Sequence, residues 1–202
     1  MIIIIDYGMG NLRSVQKAFE RIGIPAKLSG DVDEILGAEK LVLPGVGNFE
    51  QGIKNIKSRG LFEPLNTAVL DTKTPVIGIC LGMQLMTEFS EEGNCDGFGW
   101  IKGKTKKFSF NDNNLKIPHM GWNNLTISNF NSIYKGIPSN SFFYFVHSYF
   151  IACDDENNIL AQSNYGIDFV SSFQKENVFG CQFHPEKSHQ TGLQILKNFS
   201  EL

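Results

Sequence analysis

Apolar residues change their spacing along this chain, and the changes mark out strands and helices. Ile2 to Ile5 are four consecutive β-branched residues, the pattern of a central strand covered on both faces. After the glycine-rich turn Asp6-Tyr7-Gly8-Met9-Gly10-Asn11, residues Leu12, Val15, Phe19 and Ile22 recur at helical spacing and stop at Gly23. Ile24 to Leu28 fits an edge strand. Lys40-Leu41-Val42-Leu43 is a stronger one, ending in Pro44-Gly45-Val46-Gly47-Asn48-Phe49 before an apparent helix. A further helix is predicted from about Phe62 to Leu70, with Pro64 in its first turn. Val76, Ile77 and Ile79 then form a short buried strand, and Leu81, Gln84, Leu85 and Glu88 return to helical spacing. Such alternation predicts an α/β fold, a mostly parallel sheet with helices on both faces.

Beyond Ser90 the pattern becomes strand-rich. Glu91 to Gly97 is polar, Trp100 to Phe108 alternates as a half-solvated strand, and Asn111-Asp112-Asn113-Asn114 suits a hairpin tip. Ile117-Pro118-His119-Met120-Gly121-Trp122-Asn123 has little periodicity and reads as a packed loop or an interface, and Ile133 to Ile137 as one helical turn. Ser141 to Val146 is a strongly aromatic strand. Ile159–Ser163 and Phe169–Phe173 suggest a hairpin around Asn164-Tyr165-Gly166. A strand over Val178–Phe183 and a helix over about Gln190–Phe199 follow. With no linker or repeat, residues 1–202 are read as one domain with a mixed central sheet.

Two short stretches carry chemistry. Gly78-Ile79-Cys80-Leu81-Gly82 has the form of a nucleophile elbow, a sharp strand-to-helix turn with small residues on both sides. It would leave the Cys80 thiol at a helix N-terminus, where unpaired N–H groups favour a thiolate and can stabilise an oxyanion. A buried structural cysteine at a strand end is the other reading of this stretch. The second stretch, Gly180-Cys181-Gln182-Phe183-His184-Pro185-Glu186-Lys187, favours the nucleophile. Pro185 ends a strand directly after His184, and Glu186 can fold back onto the imidazole. A thiol needs a base and the base needs an orienting acceptor, so Cys80, His184 and Glu186 fill all three roles. The Pro44–Gly47 turn, whose two glycines flank Val46, is either a simple turn or a loop pointing N–H groups into the cleft beside Cys80.

Composition removes several classes. A net charge of −3 argues against a nucleic-acid binder, and Lys102, Lys104, Lys106 and Lys107 read as the solvated face of a strand. The cysteines have no paired spacing and the four histidines form no ligand set, so no metal, cofactor or disulfide framework is expected. Asp6 interrupts the first apolar run at once. No run approaches the ~20 residues of a membrane span, and a reducing, cytoplasmic setting is expected. The glycines after the first strand do not match a dinucleotide fingerprint.

With these residues in place, the chain resembles the class I (triad) glutamine amidotransferases from Met1 to the last helix, carried by Gly-Ile-Cys80-Leu-Gly-Met-Gln and Phe-His184-Pro-Glu186. Within that family its motifs are similar to those of the glutaminase subunits of imidazole glycerol phosphate synthase. They are the opening Asp6-Tyr7-Gly8-x-Gly10-Asn11-Leu12, Pro44-Gly45-Val46-Gly47, Pro118 to Asn123, Val146-His147-Ser148-Tyr149, and His184 to Ser188. The resemblance implies a flavodoxin-like fold and hydrolysis of L-glutamine to glutamate and ammonia. It implies oxyanion donors at Val46, Gly47 and Leu81, and glutamine contacts at Gly47, Gln84, His147, Ser148 and Tyr149, although Gln84 also reads as a surface helix residue. It further implies a heterodimer with a (βα)8-barrel cyclase that consumes the ammonia, with Asn11, Asn123 and Lys187 facing that partner. Lys187 equally suits a solvated lysine. Asp96-Gly97-Phe98-Gly99-Trp100-Ile101-Lys102-Gly103 departs from the family's usual Gly-Leu-Gly-Leu-Ile-Pro-Gly, a change assigned to a strand edge. It leaves room for a paralogue whose ammonia amidates a bacterial surface sugar. A cysteine hydrolase of the same sheet type, or a binding subunit without catalysis, are readings from other classes.

Overall fold

In the computed structural model, which describes residues 1–110, 115–128 and 132–202, a long mixed sheet organises the chain. Its first half alternates with helices: β1 (Ile2–Ile5), α1 (Leu12–Arg21), β2 (Ala26–Ser29), α2 (Val32–Leu36), β3 (Lys40–Gly45), α3 (Phe49–Ser58), α4 (Phe62–Asn66, continued by a π-helical turn over Thr67–Asp71), β4 (Val76–Cys80) and α5 (Leu81–Leu85). The second half holds β5 (Thr87–Ser90), β6 (Cys95–Asp96), β7 (Ile101–Lys107), β8 (His119–Asn124), β9 (Thr126–Ile127), β10 (Phe142–His147), β11 (Tyr149–Cys153), β12 (Ile159–Tyr165), β13 (Ile167–Lys175) and β14 (Val178–Cys181). Helix α6 (His189–Ser200) follows.

The main path of the sheet runs β2-β1-β3-β4-β14-β13-β11-β7-β5-β6. From β2 to β14 every pairing is parallel, and β14–β13 and β13–β11 are antiparallel. Strand side chains alternate between the two faces, so one strand feeds two cores. Ile2 and Ile4 join Val15 and Phe19 of α1 and Leu196 and Phe199 of α6. Ile3 and Ile5 join Phe49, Ile53 and Ile56 of α3 and Leu65 of α4. The four-isoleucine run is therefore read correctly as a doubly covered strand, and the mixed α/β sheet flanked by helices is the one predicted.

Several local expectations change. The helix after Cys80 ends at Leu85, and Glu88 belongs to β5. Pro118 to Asn123 is not a loop, since β8 begins at His119 and pairs antiparallel with β10. Phe98 and Trp100 are buried, Phe98 stacking between Phe62 and Trp100, while the Trp100 indole donates to Asn66 Oδ1 at 2.8 Å. They fill a core, not a strand edge. The lysines of β7 do point to solvent, as their alternation requires. The hairpin tip assigned to Asn111–Asn114 lies outside the described residues. Among the described residues no helix is long and apolar enough to cross a membrane.

Candidate active site

Cys80 stands at the junction of β4 and α5 with φ 55° and ψ −110°, a backbone state that a residue with a Cβ reaches only under strain. Close backbone approach enforces the turn. A Cβ on Gly82 would be driven into the Leu43 carbonyl, and one on Gly78 would lie 2.7 Å from the Met83 backbone. Leu81 opens α5, so its N–H has no intrahelical acceptor. Gly45 lies opposite Cys80 in the ladder, and Val46 and Gly47, the latter with φ +108°, pass beside the thiol. Leu81, Val46 and Gly47, the residues implied as oxyanion donors, therefore all border the cavity that holds Cys80.

Strand β14 is β4's parallel neighbour, with Cys181 opposite Ile79. The two chains thus leave the sheet side by side, and His184 arrives beside Cys80 at one cavity. The backbone N–H of His184 donates to Tyr144 O at 2.9 Å, and Ser188 Oγ donates to the His184 carbonyl. The imidazole Nδ1 lies 2.8 Å from Glu186 Oε1, with side-chain exposures of 2% and 1%. With Nδ1 donating to the carboxylate oxygen, the proton sits on Nδ1 and Nε2 is left for the thiol side. Among the described residues Nε2 has no hydrogen-bond partner. Burial opposes a charge on this ring, but the nearby Cys80 and Glu186 outweigh it and push the imidazole up to about 10. A thiol–imidazole pair biased toward imidazolium can attack a carbonyl and then protonate the leaving group.

The cavity has a volume of about 270 Å³ and is lined by Cys80, His184, the Val46–Gly47 turn and the Val146–Tyr149 segment. Gln84 lines it too, and is buried rather than a surface helix residue. Its Nε2 donates to Tyr149 O at 2.9 Å and to Gln182 Oε1 at 3.0 Å, which leaves its own carbonyl oxygen for a donor on a ligand. His147 is buried with Nδ1 2.8 Å from Tyr149 O and Nε2 2.9 Å from His119 Nδ1. Both its nitrogens are thus engaged by protein, and its part in the pocket is to hold the Ser148–Tyr149 backbone. Two residues here were not singled out from the sequence. Gln182, fully buried, directs Nε2 at the Cys80 sulfur at 3.7 Å. Glu92 lines the cavity while one carboxylate oxygen accepts the Phe49 N–H at 2.8 Å. Gln182 is one polar position within the strand run before His184, and Glu92 lies in a polar loop, so neither pattern signals a place in the pocket.

The family model for class-I glutamine amidotransferases matches residues 3–201. The chain belongs to that family. An imidazole glycerol phosphate synthase subunit HisH 2 from Methanococcus maripaludis is 49% identical to this amidotransferase over 199 residues, 98% of each chain. A subunit HisH 1 of the same synthase from Campylobacter jejuni is 50% identical over 203 residues, covering both chains fully. Among solved structures, PurLQS from Thermotoga maritima superposes with a TM-score of 0.75 at 18% identity, over 99% of this chain and 97% of that one, a likeness of fold.

The three residues assigned to a partner face of the amidotransferase have different settings. Asn11 precedes α1 without a side-chain capping bond, and the Lys187 ammonium lies over the Tyr144 ring at 5.7 Å. Asn123 turns inward, with Nδ2 2.9 Å from Asn164 O and Oδ1 accepting from the Asn124 N–H. The exposed apolar face lies on the small sheet instead: Met120, Trp122 and Phe142 are 63%, 47% and 56% exposed. Trp122 stacks on His189 at 4.9 Å.

Proposed function

We propose that this amidotransferase is the glutaminase subunit of an imidazole glycerol phosphate synthase, hydrolysing L-glutamine at Cys80 and passing ammonia to a (βα)8-barrel cyclase. The observation that carries the chemistry is the buried His184–Glu186 pair beside Cys80 at a cavity of amino-acid size. The names borne by relatives at 49% and 50% identity support the choice of acceptor. The Cys80 thiolate attacks the side-chain amide carbon of glutamine. Leu81 N–H and the Val46–Gly47 backbone receive the oxyanion. Imidazolium at His184 gives its proton to the departing ammonia, and a thioester remains. His184 then takes a proton from water, hydroxide attacks the thioester carbon, and glutamate leaves as the thiol is restored. Gln84 Oε1 and the Glu92 carboxylate suit the α-ammonium of the substrate. Gly47, Ser148 and Tyr149 supply backbone contacts, and His147 holds them in place.

Ammonia at neutral pH is mostly ammonium, which is not a nucleophile, so the product must reach its acceptor away from bulk water. The outward row Met120, Trp122, Phe142 and Tyr144 offers the docking surface, with Lys187 at its edge. In a test of this assignment, glutamate release is measured alone, with barrel cyclase, and with barrel plus its formimino ribonucleotide. Strong stimulation by barrel and ribonucleotide supports the assignment. Association with a barrel that ignores this ribonucleotide moves the acceptor to another substrate, such as a surface sugar.

A further inference from the structure

Strand β8 carries two rows of side chains with opposite duties. Met120 and Trp122 face outward, while His119 is buried and Asn123 half-buried on the other face, as a period of two requires. The inward row begins an unbroken line of polar contacts. Asn123 Nδ2 lies 3.4 Å from His119 Nε2, His119 Nδ1 lies 2.9 Å from His147 Nε2, and His147 Nδ1 lies 2.8 Å from Tyr149 O. From there Gln84 Nε2 reaches both Tyr149 O and Gln182 Oε1, and Gln182 Nε2 ends the line at Cys80.

Only one arrangement of protons suits every member. The Tyr149 carbonyl can only accept, so His147 donates from Nδ1 and, being neutral, offers a lone pair at Nε2. His119 must then donate from Nδ1 and accept at Nε2, where Asn123 supplies an amide N–H. Burial keeps both rings neutral, holding His119 down to about 4 and His147 down to about 3. Stacking fixes the plane of His119, with Tyr165 at 4.1 Å and 27° on one side and Phe145 at 5.0 Å and 29° among its neighbours. The ring is therefore set in orientation, tautomer and charge, and touches neither the cavity nor the outer face.

We propose that His119 is a positioning residue for glutamine hydrolysis: from the docking strand it orients His147, and through Tyr149 O, Gln84 and Gln182 it holds the glutamine pocket and Cys80 in register. This inference rests on the reading that the β8–β10 face receives a barrel partner. A partner that presses on Met120 and Trp122 moves the strand whose alternate residue begins the line, so docking and pocket geometry are coupled through side chains one residue apart.

Two variants separate this role from a structural one. His119→Phe keeps the stacked ring but has no donor for His147 Nε2, and His119→Asn restores an N–H near the position of Nδ1. In the complex with barrel cyclase, His119→Phe lowers kcat/KM for glutamine about tenfold. Its dissociation constant for the barrel and its melting temperature stay close to wild type, and His119→Asn recovers most of the loss. Equal kcat/KM in wild type and a folded His119→Phe complex would overturn the proposal, as would a loss that tracks melting temperature and is not rescued by Asn. Should the Phe variant fail to fold, ¹⁵N shifts of the wild-type His147 ring decide the matter. The line requires a proton on Nδ1 and none on Nε2, and the reverse tautomer overturns it. A wild-type chain indifferent to the barrel counts against the partner reading alone. The ring tautomer and the unassisted turnover of the same variants would then judge His119.

Discussion

The most consequential pair of atoms is His184 Nδ1 and Glu186 Oε1, because they determine which imidazole nitrogen faces the thiol. Glu186→Gln keeps the shape but loses the charge, and kcat is expected to fall about a thousandfold or more in a steady-state glutaminase assay. The pH profile should change with it. His184 is held up to about 10, so the imidazolium that protonates ammonia persists below that pH and is lost above it. In Glu186→Gln the alkaline limb moves down. The linked stability has the same sign: a pKa raised above the unfolded ~6.5 stabilises fully below that value and loses its effect as pH rises toward 10. In the cavity lining, Glu92→Gln is expected to raise KM for glutamine by about tenfold with a smaller effect on kcat, and a substrate lacking the α-amino group does not sense the change. Cys80, His184 and Glu186 were legible because a nucleophile elbow and a strand-ending His-Pro-Glu have few other uses. Gln182 sits inside the same motif, yet its partner Gln84 is 98 residues away, and only folding reveals that the pair supports the thiol.

The elbow depends on how closely α5 approaches β3, a property of elements rather than of single atoms. Gly82→Ala is expected to destabilise the fold by about 1–3 kcal/mol, read from urea unfolding, and to lower turnover beyond what the remaining folded fraction explains. Elements with an ordinary apolar stripe or run, such as β1, α1 and β4, could be read from sequence. Strand β8 could not, since its outward residues are Met120 and Trp122 while His119 and Asn123 turn inward. That inversion of the usual pattern makes a docking strand look like an irregular loop. Helix α5 was overextended for a different reason. Glu88 continues the helical spacing, but Thr87 Oγ1 donates to the Gln84 carbonyl at 2.9 Å and the chain turns into β5.

At the scale of the whole molecule, the parallel half of the sheet brings Cys80 and His184 to the carboxyl ends of two adjacent interior strands, and the small β8–β10 sheet places an apolar surface next to them. A partner seated there would cover Trp122, the largest exposed aromatic of that surface. Trp122→Ala should weaken assembly with the barrel by about 2 kcal/mol, read by titration calorimetry, without lowering the melting temperature of the isolated chain. All of this presupposes that Cys80 is the nucleophile. Peptide mapping of a glutaminase reaction quenched in acid during turnover tests that claim most directly. A glutamyl thioester is expected on the peptide bearing Cys80 and none in Cys80→Ala, which releases no glutamate. Glutamate formation that continues in Cys80→Ala, or an adduct carried by Cys181, would contradict it.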